Sequence, residues 1–288
     1  MAITVNTNIP SLTAQKSLNT ATTKMNTAME RMSTGLKINS SKDDAAGMAV
    51  ANKLDYKIGS LSVAQDNGQM GSSMLETTEG VLSVINDNLT RIRDLTEQAA
   101  NGTYGSDAMT AIQTEVQARM DEITRLAKSS EFNGRMLFDP DSKIGSGVKE
   151  DINLQVGITS DKTSTIQLKQ EIFADASAST ILGVTGGQIT DQYSSDSKAR
   201  AFLDNIDKAL ADITNRTTQI GGYQQRISSA IDAAGVMETN LTSAKSLIED
   251  ADIAEESSNY IKQQILQQTT ATLLATANQS PSIAANLV

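Results

Sequence analysis

Phe202, Ile206, Leu210, Ile213, Ile220, Ile227, Ile231, Ala234, Met237, Leu241, Ala244 and Ile248 recur at steps of three, four or seven. That is the period of one helical face, held far longer than an ordinary globular helix holds it. No proline interrupts the stretch, although Gly221, Gly222 and Gly235 weaken it locally. At about 1.5 Å per residue such a helix is roughly 70 Å long, too long to wrap a compact core and suited to a rod. A rod needs partner helices, and the rest of the chain must supply them.

On the N-terminal side, Leu18, Met25 and Met32 repeat every seven residues, with Thr22, Met29 and Leu36 on the companion row. This reads as a heptad seam with one polar flaw, its methionines serving as packing surface and not as a ligand box. Gly35 is expected to end that helix. Ser41 is expected to cap the next one, with Asp44 three residues on and Asp43 beside it, a helix start and not a metal pair. Helix resumes through Leu54, Ile58, Leu61, Met74, Leu75, Leu82, Ile85, Leu89, Ile92, Leu95 and Ala99, interrupted at Gly68, Gly71 and Gly80. A shorter amphipathic helix follows from Met109 to Leu126.

Beyond Ser129 the pattern changes. Ile152, Leu154, Val156 and Ile158 alternate strictly, and Ile166 and Leu168 follow a polar turn, which reads as a β-hairpin laid against the rod's flank. Residues 173–197, rich in Ser, Ala, Gly and Thr, read as a loop or small protrusion. From Glu249 the chain is helical again, with Ile253, Ile261, Ile265, Leu266, Leu273, Leu274 and Ala277, but Gln267 to Thr270 breaks the apolar stripe.

Composition narrows the chemistry. With 24 Lys and Arg against 34 Asp and Glu, the net charge of −10 disfavours a grip on nucleic acid. The chain has no His, Cys or Trp, which removes zinc sites, cysteine nucleophiles, Ser-His-Asp triads and disulfides. Asp139, Asp141 and Gly145 fall short of a calcium loop, and no phosphate-binding glycine motif occurs. No catalytic, cofactor-binding or metal-binding residues are therefore expected. Met1 to Thr20 lacks the basic start and apolar run of a cleaved secretion signal, and no stretch approaches a membrane span. The expectation is no membrane insertion and export by another route.

The two ends carry opposite charge. Lys16, Lys24, Arg31, Lys37 and Lys42 against Glu30 make residues 1–42 +4, while Lys262 against Glu249, Asp250, Asp252, Glu255 and Glu256 makes residues 249–288 −4. They attract, yet a two-helix arm with so flawed a seam is marginal alone in water. It is expected to become ordered once neighbouring copies bury its outer faces.

The run from Glu30 to Asn52, ERMSTGLKINSSKDDAAGMAVAN, closely resembles the N-terminal signature of bacterial flagellin. Arg91-Ile92-Arg93-Asp94-Leu95, Gln98-Ala99-Ala100-Asn101-Gly102-Thr103, Glu131-Phe132-Asn133-Gly134 and Leu273-Leu274-Ala275-Thr276-Ala277-Asn278-Gln279 support it, over residues 1–170 and 198–288. The resemblance implies a non-enzymatic, extracellular filament subunit of mainly α fold, a long antiparallel helical bundle or coiled-coil rod with a small β-hairpin region. Residues 1–42 and 249–288 would form the inner coiled coil, packed through Leu18, Met25, Met29, Met32, Leu36, Ile261, Ile265, Leu273 and Leu274. Residues 43–172 and 198–248 would form the rod domain, with 173–197 as a short variable loop where other members carry outer domains.

The same resemblance implies export unfolded through the flagellar type III apparatus with an uncleaved signal, assisted by an export chaperone and a cap protein. The other implied partners are further copies of the chain, a hook-junction protein and a host Toll-like receptor reading Arg91, Leu95 and Glu115. Helix spacing leaves open whether Leu95 faces that receptor or the core. The alternative reading is a hook-filament junction protein of the same superfamily.

Overall fold

The computed structural model describes residues 7–139, 146–148, 150–184 and 189–285, so Asp141 and Gly145 lie outside the described residues. In chain order the elements are α1 (Ile9–Thr34), α2 (Ala45–Ala99), α3 (Ser106–Ser129), β1 (Glu131–Phe132), β2 (Arg135–Met136), β3 (Ser146–Gly147), β4 (Ile152–Gln155), β5 (Thr165–Leu168), α4 (Ala178–Leu182), α5 (Asp196–Glu249) and α6 (Ile253–Ala285). The fold is mainly α, as the long helical periods imply. Two compact units emerge, Met1–Ile58 with Thr239–Val288, and Gly59–Glu238; their divisions fall inside α2 and α5, while the breaks between helices fall at residues 35–44 and 250–252.

In the first unit, Asn8 opens α1 by accepting a hydrogen bond from the Ser11 amide at 3.1 Å, and Pro10 sits in the first turn, where its missing N–H is not needed. Gly35 ends the helix at φ 75°, a left-handed conformation that costs glycine little, with its N–H on the Arg31 carbonyl. The cap of α2 is Asp44 and not Ser41: its Oδ1 accepts from the Ala46 and Gly47 amides at 3.0 and 2.9 Å. Asp43 instead folds the loop back, accepting from the Asn39 and Ser40 amides and the Ser40 hydroxyl. That hydroxyl, ahead of the two amides, holds the Asp43 carboxyl below the usual carboxylate range.

Helices α1 and α6 run antiparallel. Arg31 meets Glu256 at 2.9 Å, Gln267 donates to Thr22 at 3.0 Å and Asn8 donates to the Ala277 carbonyl at 2.7 Å. A two-bond backbone clasp closes the arm, Lys37 N–H to the Glu249 carbonyl and Ala251 N–H to the Gly35 carbonyl. The seam differs from the expected one. Its buried α1 residues are Ala21 and Ala28, with Leu18, Met25, Met32 and Leu36 half-buried beside them and Met29 exposed. On α6 the half-buried row is Tyr260, Gln263, Gln267, Thr270, Leu274 and Ala277. The residues that break the apolar stripe therefore form the contact, because alanines on α1 let the backbones approach and the Gln267 amide finds a hydroxyl there.

The second unit is built on α2, α3 and α5. Antiparallel pairing of α2 with α5 follows from Glu79–Gln224 and Arg93–Asp207, and of α2 with α3 from Asn88–Arg119 and Arg91–Glu115. Leu75, Leu82, Ile85, Leu89 and Ile92 of α2 meet Val116, Met120 and Ile123 of α3 and Phe202, Ile206, Ile213, Ile220 and Ile227 of α5 in one core. The glycines do not break α2. A Cβ at Gly71 would stand 2.4 Å from Leu154 Cδ2, and one at Gly68 2.8 Å from Ile231 Cγ1, so both are points of close approach.

The hairpin β4–β5 pairs Ile152 with Leu168 and Leu154 with Ile166 and seats Leu154 on Gly71. A second sheet, of three two-residue strands, was not expected. Asn133 and Gly134, both at positive φ (50° and 77°), make the tight turn between β1 and β2, with β3 added in parallel. Asn-Gly was the available signal for it.

The described residues of 173–197 are mostly irregular, as a loop is, but they pack inward and do not protrude. Phe173, Ala176, Ala178, Leu182, Val184, Ile189 and Tyr193 are buried in the core. Arg216, itself buried and paired with Asp212, donates to the Ala174 carbonyl at 2.7 Å. Tyr193 shares a short hydrogen bond with Thr96 and stands edge-on to Phe202 at 6.1 Å. Burial pushes its phenol up to about 12, against the opposing pull of Thr96. A low-complexity composition concealed a segment whose few large side chains all point inward.

Candidate assembly surface

Apart from Tyr260 and Leu274, the seam takes small and polar residues of α6, which leaves several of its large apolar ones exposed. Ile261, Ile265 and Leu273 are 51, 57 and 56% exposed, and Ile253 and Leu266 stand exposed with them. Ile9, Leu12 and Met29 of α1 and Val50 of α2 are exposed in the same unit, and Leu247 of α5 reaches 88%. Beyond Lys262 no charge interrupts the α6 surface. Scattered exposed apolar residues need no explanation, but five on one helix, with Ile261 and Ile265 one turn apart and Leu266 beside them, next to a seam of Ala, Gln and Thr, leave apolar surface open to water.

Of the expected packing residues, Leu18, Met25, Met32, Leu36 and Leu274 therefore lie at the α1–α6 seam, whereas Met29, Ile261, Ile265 and Leu273 lie on the open side of the unit. The expected attraction between the ends is carried, among the described residues, by one cross-pair, Arg31–Glu256. Glu256 is the less exposed partner, so this pair is screened less than a surface one.

The expected receptor residues do not form one patch. Arg91 reaches Glu115 through Nε and Nη2 at 3.1 and 3.0 Å, joining α2 to α3 at the surface. Leu95 is 3% exposed and belongs to the core. Spacing of four residues on α2 puts Leu95 on the row of Leu82, Ile85, Leu89 and Ile92, where it packs.

Among the described residues no group of three or more carboxylates could hold a metal ion, and no helix is long and apolar enough to cross a membrane.

Family models match both ends of the chain: the bacterial flagellin N-terminal helical region over residues 5–143 and the C-terminal helical region over 203–287. A flagellin from Xenorhabdus nematophila is 35% identical, with all of both chains covered. The flagellar filament 30.7 kDa core protein of Treponema maltophilum is 32% identical over 95% of each. Among solved structures, a flagellar hook-associated protein from Vibrio parahaemolyticus matches 72% of this chain and 99% of its own with a TM-score of 0.57; at 18% identity that likeness concerns the fold alone. With both terminal regions and full-length relatives in agreement, the chain belongs to the bacterial flagellins, the non-enzymatic structural subunits of the extracellular flagellar filament.

Proposed function

We propose that the exposed apolar residues of α6, Ile253, Ile261, Ile265, Leu266 and Leu273, are the surface by which copies of this chain bury one another's terminal arms in the filament. Their exposure on a helix whose own seam is thin carries this reading. Contacts between unlike patches do not close into a ring and so propagate as a helical polymer. An arm that is weakly held in the single chain also suits export in the unfolded state through the type III apparatus, with a chaperone covering these apolar residues before a cap protein directs its insertion. A hook-junction protein would meet the first subunits through the same surface.

A junction protein is the alternative reading. Negative-stain microscopy of the purified chain under salting-out conditions separates the two: long tubes are expected, and their absence at all protein concentrations favours the junction.

Host sensing by a Toll-like receptor is proposed on the Arg91–Glu115 pair, which presents a donor fork and a carboxylate at the α2–α3 surface. Leu95 supports that surface from below. Arg91→Ala with Glu115→Ala is expected to lower potency on receptor-expressing cells about tenfold or more while leaving the fold intact, since exposed pairs contribute only about 0.2–1 kcal/mol to stability. Unchanged potency removes the assignment.

A further inference from the structure

The β4–β5 hairpin has two unlike faces. Ile152, Leu154, Ile166 and Leu168 pack on the core, so alternation turns Asn153, Thr165, Gln167 and, one step on, Lys169 the other way. This polar face lines a cleft of about 580 Å³ together with Ser160 and Lys162 of the connection and Tyr223 and Arg226 of α5.

Three cations, Lys162, Lys169 and Arg226, thus share one cleft with no carboxylate in its lining, on a chain whose net charge is −10. None of the three forms an ion pair among the described residues, whereas Arg91, Arg93, Arg125, Arg200 and Arg216 each reach a carboxylate. Arg226 lies over the Tyr223 ring instead, 5.7 Å from its centroid. Like charges gathered without a counter-charge repel one another, and an entering anion relieves that cost. The guanidinium fork suits a carboxylate and the two ammonium groups suit further anionic oxygens. Between them stand the amides of Asn153 and Gln167 and the Ser160 hydroxyl, which both donate and accept, and the Thr165 hydroxyl, which donates to the Lys162 carbonyl and keeps its lone pairs to accept. That mixture matches a ligand carrying carboxylates and many hydroxyls on one scaffold.

We infer that this cleft binds an acidic oligosaccharide, its carboxylates on Lys162, Lys169 and Arg226 and its hydroxyls on the neutral groups between. Nucleic acid is disfavoured because the cleft offers its bases a single ring, one face of which Arg226 already covers. An acidic segment of another copy would use the cations but leave the neutral donors and acceptors without a matched partner.

Calorimetric titration of tetragalacturonate into the full-length monomer at low ionic strength tests this. Saturable binding is expected, weakened at least about tenfold in Lys162→Gln/Arg226→Gln and in Lys169→Gln, all exposed positions whose change leaves the circular dichroism spectrum unaltered. Neutral maltotetraose is expected to bind at least about tenfold more weakly, and sodium sulfate at equal charge is expected to leave most of the complex intact. Equal affinity in the variants, equal affinity for maltotetraose, or complete displacement by sulfate overturns the inference, as does no binding by the unaltered chain. Variants that bind the sugar normally but no longer form tubes overturn it too, and assign the cations to a neighbouring copy.

Discussion

A chain carrying Ile261→Asp and Ile265→Asp is expected to stay a folded monomer in salting-out buffers that turn the unaltered chain into tubes. Both side chains are already more than half exposed, so in the monomer the change costs little beyond the lower helix propensity of Asp, about 0.7 kcal/mol per residue at most. In the filament the balance reverses. Completing the burial of an isoleucine from half exposure is worth about 1 kcal/mol, and placing a carboxylate at a covered apolar face costs several more. Together they amount to about 4 kcal/mol or more per subunit, which raises the protein concentration needed for polymerisation about a thousandfold. Sedimentation across a concentration series reads that shift. The pair Ile261→Ser and Ile265→Ser loses the apolar area without adding charge, so its shift is expected to be about ten- to a hundredfold. If the Asp pair polymerises at the same concentration as the unaltered chain, the exposed apolar residues of α6 are not the assembly surface.

The second large effect falls on stability. Phe173→Ala is expected to cost about 3–5 kcal/mol in urea unfolding of the full chain, because the ring is fully buried and the site cannot collapse around so large a void. Val63→Ala, exposed in the same unit, is expected to stay within about 0.5 kcal/mol. A loss below about 1 kcal/mol at Phe173 would return residues 173–197 to the status of an appended loop.

The contrast marks where the amino-acid sequence was legible. Helices α2 and α5 could be read because a 3.6-residue period sustained over many turns survives individual exceptions such as Gly68 and Gly222. The β4–β5 hairpin could be read because its alternation is strict, and the end of α1 because Gly35 occupies a position that needs a left-handed residue. The seam of the terminal arm could not. Hydrophobic patterning weights large side chains, so it favoured Ile261, Ile265 and Leu273, whereas Ala21 and Ala28 set how closely the helices approach and Gln267 and Thr270 fill the space between them. Leu95 was ambiguous for a related reason: a motif match says which residues recur, while its place on the row of Leu89 and Ile92 says which way it points. The polar cleft was invisible because it combines one face of a hairpin with two residues of a distant helix.

The central claim is that the terminal arm, α1 against α6, is loosely held in the single chain and becomes ordered when other copies cover its outer face. Hydrogen–deuterium exchange of the α6 amides, measured on the monomer and again on assembled filaments, tests it most directly. Rapid exchange in the monomer and strong protection in the filament is the result this account predicts. Amides of α6 as protected in the monomer as those of the α5 segment carrying Ile206, Ile213 and Ile220 would contradict it.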